Sequence, residues 1–129
     1  MREFLIRIML LNYSNHPSSM WSEAQLRLAG EMFGVIVDEK FPSINPLWDE
    51  TEIIRLAENE VRRIKQKYGD NLTVHIMGES NFCFTMVSLL LRQGIPCVAS
   101  TTERIARTDE NGVKKSIFRF KKFRFYRLP

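Results

Sequence analysis

Three short polar segments carry the side chains able to do chemistry in this 129-residue chain: residues 12–19, 78–81 and 100–104. The first supplies Asn12, Ser14, Asn15, Ser18 and Ser19 around one imidazole, His16. Histidine is the side chain whose ordinary proton affinity lies near neutrality, so His16 among hydroxyls suits a general acid or a phosphate-binding group. A loop histidine bonding its own turn accounts for the same letters. His75 alternates with Val74 and Ile76 inside an apolar run and reads as structural, and no Ser-His-Asp or Cys-His order stands out.

The second segment is Gly78-Glu79-Ser80-Asn81. Ser80 reads as the cap of the helix that follows, which is ordinary capping. Glu79, an acid at the mouth of a crevice, can accept from a ribose hydroxyl or serve as a base. The third segment, Ser100-Thr101-Thr102-Glu103-Arg104, adds hydroxyls, an acid and an arginine whose planar fork of donors suits a phosphate. A β-hairpin with threonines and a cross-strand ion pair explains those residues without function. The segments gain weight together, because each delivers polar groups to one edge of one sheet. Such an edge suits a nucleotide or small phosphodiester better than long duplex nucleic acid, so no DNA partner is expected. The GxGxxG fingerprint and the Walker motif are absent.

The elements that must position these groups follow from periodicity. Residues 72–77 form a short apolar run rich in β-branched residues that stops at Gly78, where a sharp strand-to-helix turn is expected. Residues 82–91 are apolar almost all round and read as a helix buried against the sheet; residues 96–100 read as the next strand. Together they make a βαβ unit with parallel strands, and both polar ends fall at strand carboxyl termini, where open α/β sheets bind ligands. Residues 4–14 read as the first strand. A helix follows, with Trp21, Gln25, Leu28, Ala29, Met32 and Phe33 on one side and Ser22 and Gln25 at capping-box spacing. Residues 35–37 read as a second strand. Asp49 and Glu52 open a second helix carrying Ile53, Ala57, Val61, Ile64 and Tyr68 at helical spacing. The Asp109-Glu110-Asn111-Gly112 turn then joins two antiparallel strands, the last with a bulge near Lys121 and Lys122 that would hold Phe118, Phe120, Phe123 and Phe125 on one face. The expected fold is a single three-layer Rossmann-like α/β domain. Its sheet, of order 2-1-3-4, is mostly parallel, with a C-terminal antiparallel strand.

Composition narrows the function classes. Cys83 and Cys97 lie inside apolar elements, away from any CxxC or metal spacing, and read as reduced core residues of a cytosolic protein with no metal and no cofactor. The apolar residues 4–11 are too short to span a bilayer and contain Arg7, so neither a membrane segment nor a signal peptide is expected. Net charge is +4, and residues 113–127 hold seven Lys or Arg and no acid. That imbalance favours an anionic partner, although a lysine-protected edge strand has the same composition.

Asn15-His16-Pro17-Ser18 followed by Trp21-Ser22, then His75-Ile76-Met77-Gly78-Glu79, then Ala99-Ser100-Thr101-Thr102-Glu103-Arg104 and the closing Phe123-Arg124-Phe125-Tyr126 resemble small CRISPR-associated proteins with a CARF-related, Rossmann-like fold. The resemblance implies a cytoplasmic accessory of type III CRISPR systems that binds cyclic oligoadenylate, cyclic tetraadenylate in particular, at a homodimer interface. Relatives include ring nucleases, in which a ribose 2′-hydroxyl attacks its neighbouring phosphate without a metal and leaves a 2′,3′-cyclic phosphate. The protein then needs only to hold the geometry, stabilise charge and manage a proton. Carried onto this chain, the resemblance gives His16 proton transfer, Arg104 phosphate charge and Glu79 a catalytic carboxylate. Asn12, Ser14, Asn15, Ser18, Ser19, Gly78, Ser80, Asn81, Thr101 and Thr102 become ligand contacts. Two rival readings remain open. One is a non-catalytic sensor or sponge for the same signal; the other is an RNA-binding edge built on Lys121, Lys122 and Arg124, with Phe118 and Phe125 as stacking platforms.

Overall fold

The predicted string of elements appears in order in a computed structural model that describes residues 9–129. Residues 4–8 of the expected first strand lie outside the described residues. Strands β1 (Met9–Ser14), β2 (Val35–Lys40), β3 (Thr73–Met77), β4 (Cys97–Thr108) and β5 (Lys114–Phe125) form one sheet of order β2-β1-β3-β4-β5. The first four are parallel and the β4–β5 pair is antiparallel. Helix α1 (Glu23–Phe33) covers one face, while α2 (Glu50–Tyr68) and α3 (Ser80–Arg92) cover the other.

Alternation along the strands sends side chains to two separate cores. Leu11, Tyr13, Val74, Ile76 and Cys97 pack with Ile53, Ala57, Val61 and Ile64 of α2 and with Phe82, Met86 and Leu90 of α3. Leu10, Val98 and Phe123 pack with Trp21, Ala29 and Phe33. Since the side-chain period of a strand is two, Asn12, His75 and Ser100 share the face of Leu10 and Val98. The polar residues of that parity therefore point toward α1.

Between Thr101 and Thr102 the β4–β5 ladder shifts by one residue, leaving Lys121 without a partner. This bulge restores the parity of the rings: Phe120, Phe123 and Phe125 join the α1-side core, and Phe118 lines a hollow on the same side together with Trp21. The turn beyond is held by Asp109, whose carboxylate accepts from the N–H groups of Asn111 (2.9 Å) and Val113 (2.8 Å). Only Gly112 has a positive φ (77°), so this is a three-residue loop with one left-handed position rather than a two-residue Asn-Gly turn.

Two local expectations change. Glu79, not Ser80, caps α3: its carboxylate accepts from Phe82 N–H (2.7 Å), and Ser80 is the first helical residue. Gly78 is not needed for a positive φ. A Cβ there would meet the Phe41 ring at 2.3 Å, and that ring is packed against Tyr13 and Phe82. Gly78→Ala is expected to cost about 1–3 kcal/mol, the usual range for overpacking, as a lower urea midpoint at unchanged slope.

Candidate functional site

A polar chain crosses four strands on the α1 side, at the carboxyl edge of the sheet. Register creates it: Asn12 of β1 is paired with Asp38 of β2 and with His75 of β3, and His75 is paired with Val98, two residues before Ser100. Because β1 leads into α1 on one face and β3 into α3 on the other, Asn12 and His75 sit where the connections part, the usual place for a ligand crevice.

The hydrogen bonds fix the orientation of the Asn12 amide and the tautomer of His75. Asn12 Nδ2 lies 2.8 Å from Asp38 Oδ1 and 2.8 Å from the His16 carbonyl, both acceptors, so the amide can face only one way. Its Oδ1 is thereby turned to accept from Ser14 Oγ (2.7 Å) and His75 Nδ1 (2.9 Å). His75 must then carry its proton on Nδ1, which leaves the Nε2 lone pair facing Ser100 Oγ at 2.8 Å. The Ser100 hydroxyl donates to His75 and accepts from Gln25 Nε2 (3.0 Å). Gln25 is the residue at capping-box spacing from Ser22; the Ser22 hydroxyl does accept from its N–H (3.1 Å), but its side chain is given to Ser100 instead.

His75 is 2 % exposed, with the rings of Trp21 and Phe123 at centroid distances of 5.0 and 5.8 Å. Burial among neutral groups pushes its pKa down to about 4, so the imidazole is neutral at pH 7. At the far end, burial raises the Asp38 carboxyl but bonds from Ser18 and Asn12 outweigh it and hold the group below its ordinary value. The Ser18 hydroxyl and N–H both reach this carboxylate, at 2.7 and 3.0 Å.

The open side of the chain is a hollow of about 390 Å³ walled by Ser14, His16, Trp21, His75, Ser100 and Thr102, with Phe118 at its rim. His16 is exposed there, and its carbonyl is pinned by the Asn12 amide. Arg104 does not line the hollow. It lies one step beyond Thr102 on the same face of β4, opposite Phe118, and its Nε donates to Ser116 Oγ (3.0 Å).

The remaining candidates are dispersed. Asn15 borders a second hollow with Asn12, Ser14 and Asp38. Glu79 and Asn81 line a third, of about 630 Å³, against the start of α2, and Gly78 and Ser80 border a fourth beside the C-terminal residues. Ser19 is an exposed residue of a short 3-10 turn. Thr101 points to the opposite side from Thr102 and bonds the Lys122 backbone in the bulge. The crevice expected to hold all three segments thus unites the first and third, while the second opens mainly on the α2–α3 side.

Sequence reasoning passed over Asp38 and Gln25 and left His75 as structural. A polar residue at core parity in an apolar strand was the available signal, present at both Asn12 and His75. On the other sheet face a charged cluster ties α2 to the strands. Tyr13 donates to Glu60 (2.7 Å), and Glu39 accepts from Arg63 (3.0 Å), Lys67 (2.8 Å) and Tyr68. Burial raises the Glu39 carboxyl, but these donors win and bring it to about 2. Among the described residues no three His, Cys, Asp or Glu side chains are grouped to hold a metal ion, and no helix is long and apolar enough to cross a membrane.

No curated protein and no solved structure gives a significant match to this chain. A family described as "Uncharacterized protein MJ1673 family" matches residues 8–124, which include every strand and helix but the last residue of β5. The chain belongs to the MJ1673 family.

Proposed function

We propose that the protein binds cyclic oligoadenylate, cyclic tetraadenylate in particular, at the carboxyl edge of its sheet and opens the ring without a metal ion, as a cytoplasmic accessory of type III CRISPR signalling. The observation that carries this reading is the single hollow lined by His16, Ser14 and Thr102 together with Trp21 and Phe118. Aromatic faces accept adenine, hydroxyls match ribose, and Arg104 lies one strand step away for a phosphate. At about 390 Å³ the hollow is at the small end of ligand sites, below the needs of a four-nucleotide ring. A two-fold homodimer would supply the second half.

In the reaction the ribose 2′-hydroxyl gives up its proton to solvent water as its oxygen bonds to the adjacent phosphorus, and the 5′-oxygen leaves with a proton from His16, with Arg104 offsetting phosphate charge. The experiment is incubation with cyclic tetraadenylate in EDTA, read by mass spectrometry. Linear products ending in 2′,3′-cyclic phosphate, reduced about 10²-fold or more in His16→Ala, are expected for a lost proton donor. Tight binding of intact ligand would instead make the protein a sponge. Neither cleavage nor binding would end the reading.

One observation favours a second, RNA-binding reading. Among the described residues no other strand pairs with the β4–β5 arm beyond Ser100, and on this arm Arg107 faces Lys115 directly, a like-charge pair that an anion would relieve. Binding of generic single-stranded RNA that weakens steeply with salt, and is lost on replacing Lys121, Lys122 and Arg124, would support it.

A further inference from the structure

We infer that Ser100 is a base-activated nucleophile, held by His75 and Asn12, that takes the acyl group of a small apolar carboxylic ester. This assignment stands apart from the cyclic oligoadenylate reading.

Geometry carries the inference. Ser100 Oγ is 2.8 Å from His75 Nε2, and His75 Nδ1 is 2.9 Å from Asn12 Oδ1. This is the nucleophile, base and orienting group of acyl-transfer sites, with an amide in the third position as in the Cys-His-Asn variant. An amide orienter works only if its oxygen, not its nitrogen, faces the imidazole. Asp38 and the His16 carbonyl enforce that by occupying both N–H groups of Asn12. Ser100 is half-buried and lines the hollow, which a substrate can enter.

The surroundings specify the electrophile. Met20, Trp21, Met77 and Phe118 give the hollow apolar walls suited to a short acyl chain. Gln25 Nε2, 3.0 Å from Ser100 Oγ, and the Thr102 hydroxyl are donors available to a developing oxyanion. In the acylation step Ser100 Oγ forms a bond to the carbonyl carbon while its proton passes to His75 Nε2. The tetrahedral centre then expels the alcohol oxygen, which takes that proton. Water activated by the same imidazole releases the acid and restores the serine.

The test uses the intact chain with p-nitrophenyl butyrate and, separately, a fluorophosphonate. A fluorophosphonate reacts by forming an Oγ–P bond as fluoride leaves. A burst of nitrophenolate stoichiometric with protein, and labelling mapped to Ser100, are expected. Both should vanish in Ser100→Ala and fall about 10²-fold or more in His75→Gln. Because His75→Gln can unfold the protein, Ser100→Cys supplies an independent readout. Its thiol should be acylated by p-nitrophenyl butyrate, leaving a butyryl thioester that mass spectrometry maps to residue 100. Cys83 and Cys97 give little background, being buried with thiols pushed up to about 11 and 12. Absence of label on Ser100 in the folded protein, equal labelling of Ser100→Ala, or no thioester at residue 100 in Ser100→Cys would each overturn the assignment.

Discussion

Replacing Asn12 with alanine will destabilise the protein by about 2–4 kcal/mol, seen as a lower urea midpoint at unchanged slope. The side chain is 1 % exposed and serves four partners: it donates to Asp38 and the His16 carbonyl and accepts from Ser14 and His75. Alanine leaves the buried His75 Nδ1–H without its protein acceptor, and the cost of such an orphan exceeds the net worth of the bond that was lost. It also unpins the His16 carbonyl, so the loop between β1 and α1 should gain hydrogen exchange. Asn12→Asp separates packing from charge. The shape is kept, but the donor facing Asp38 becomes an acceptor, and two carboxylates then share one proton. Their joint affinity for that proton rises, so the stability gap between this variant and the wild type should narrow as the pH is lowered toward 5. A gap that stays constant or widens as the pH falls would refute the assigned amide orientation.

The wild type is expected to lose about 3 kcal/mol from His75 alone between pH 6.5 and pH 4. Unfolded, the imidazole takes up a proton near 6.5; folded, burial holds its pKa down to about 4. Above 6.5 it is neutral in both states and contributes no slope. Between the two values the unfolded chain binds more protons, so stability falls with pH, and below about 4 the contribution is spent. The described groups against His75, namely Asn12, Ser100, Trp21 and Phe123, carry no charge, and the nearest carboxylate on this chain of bonds, Asp38, is screened from it by Asn12. Glu39, whose pKa is brought to about 2 by Lys67, Tyr68 and Arg63, adds its own loss only below its unfolded value near 4.5. Urea titrations of wild type and His75→Gln across pH 4.5–7 therefore isolate the histidine: the variant should lack the slope. Equal slopes would mean that His75 is charged, or solvated, in the folded protein.

The same residue shows where reading the chain by itself stops. Alternation marks His75 as pointing to one side of its strand, and its neighbours Val74 and Ile76 mark that strand as buried. Nothing within ten residues of it in the sequence is its partner. Asn12 lies 63 positions away and Ser100 lies 25 positions away, and what joins them is strand register. A slip of one residue would turn Asn12 to the α2–α3 face and abolish the chain of bonds.

The sequence by itself determined the succession of elements, the parallel sheet with its antiparallel end, the bulge that keeps four phenylalanines on one face, and the clustering of polar residues at strand carboxyl termini. Those features are written in local periods and turn residues, which act over a few neighbouring positions. Only the tertiary structure decided that Gly78 answers to Phe41, that Glu79 and His16 open on different hollows, and that Asp38, Asn12, His75 and Ser100 form a single file of hydrogen bonds. Contacts of that kind depend on how distant strands are aligned and on which ring fills which gap, and both are settled by packing of the whole chain.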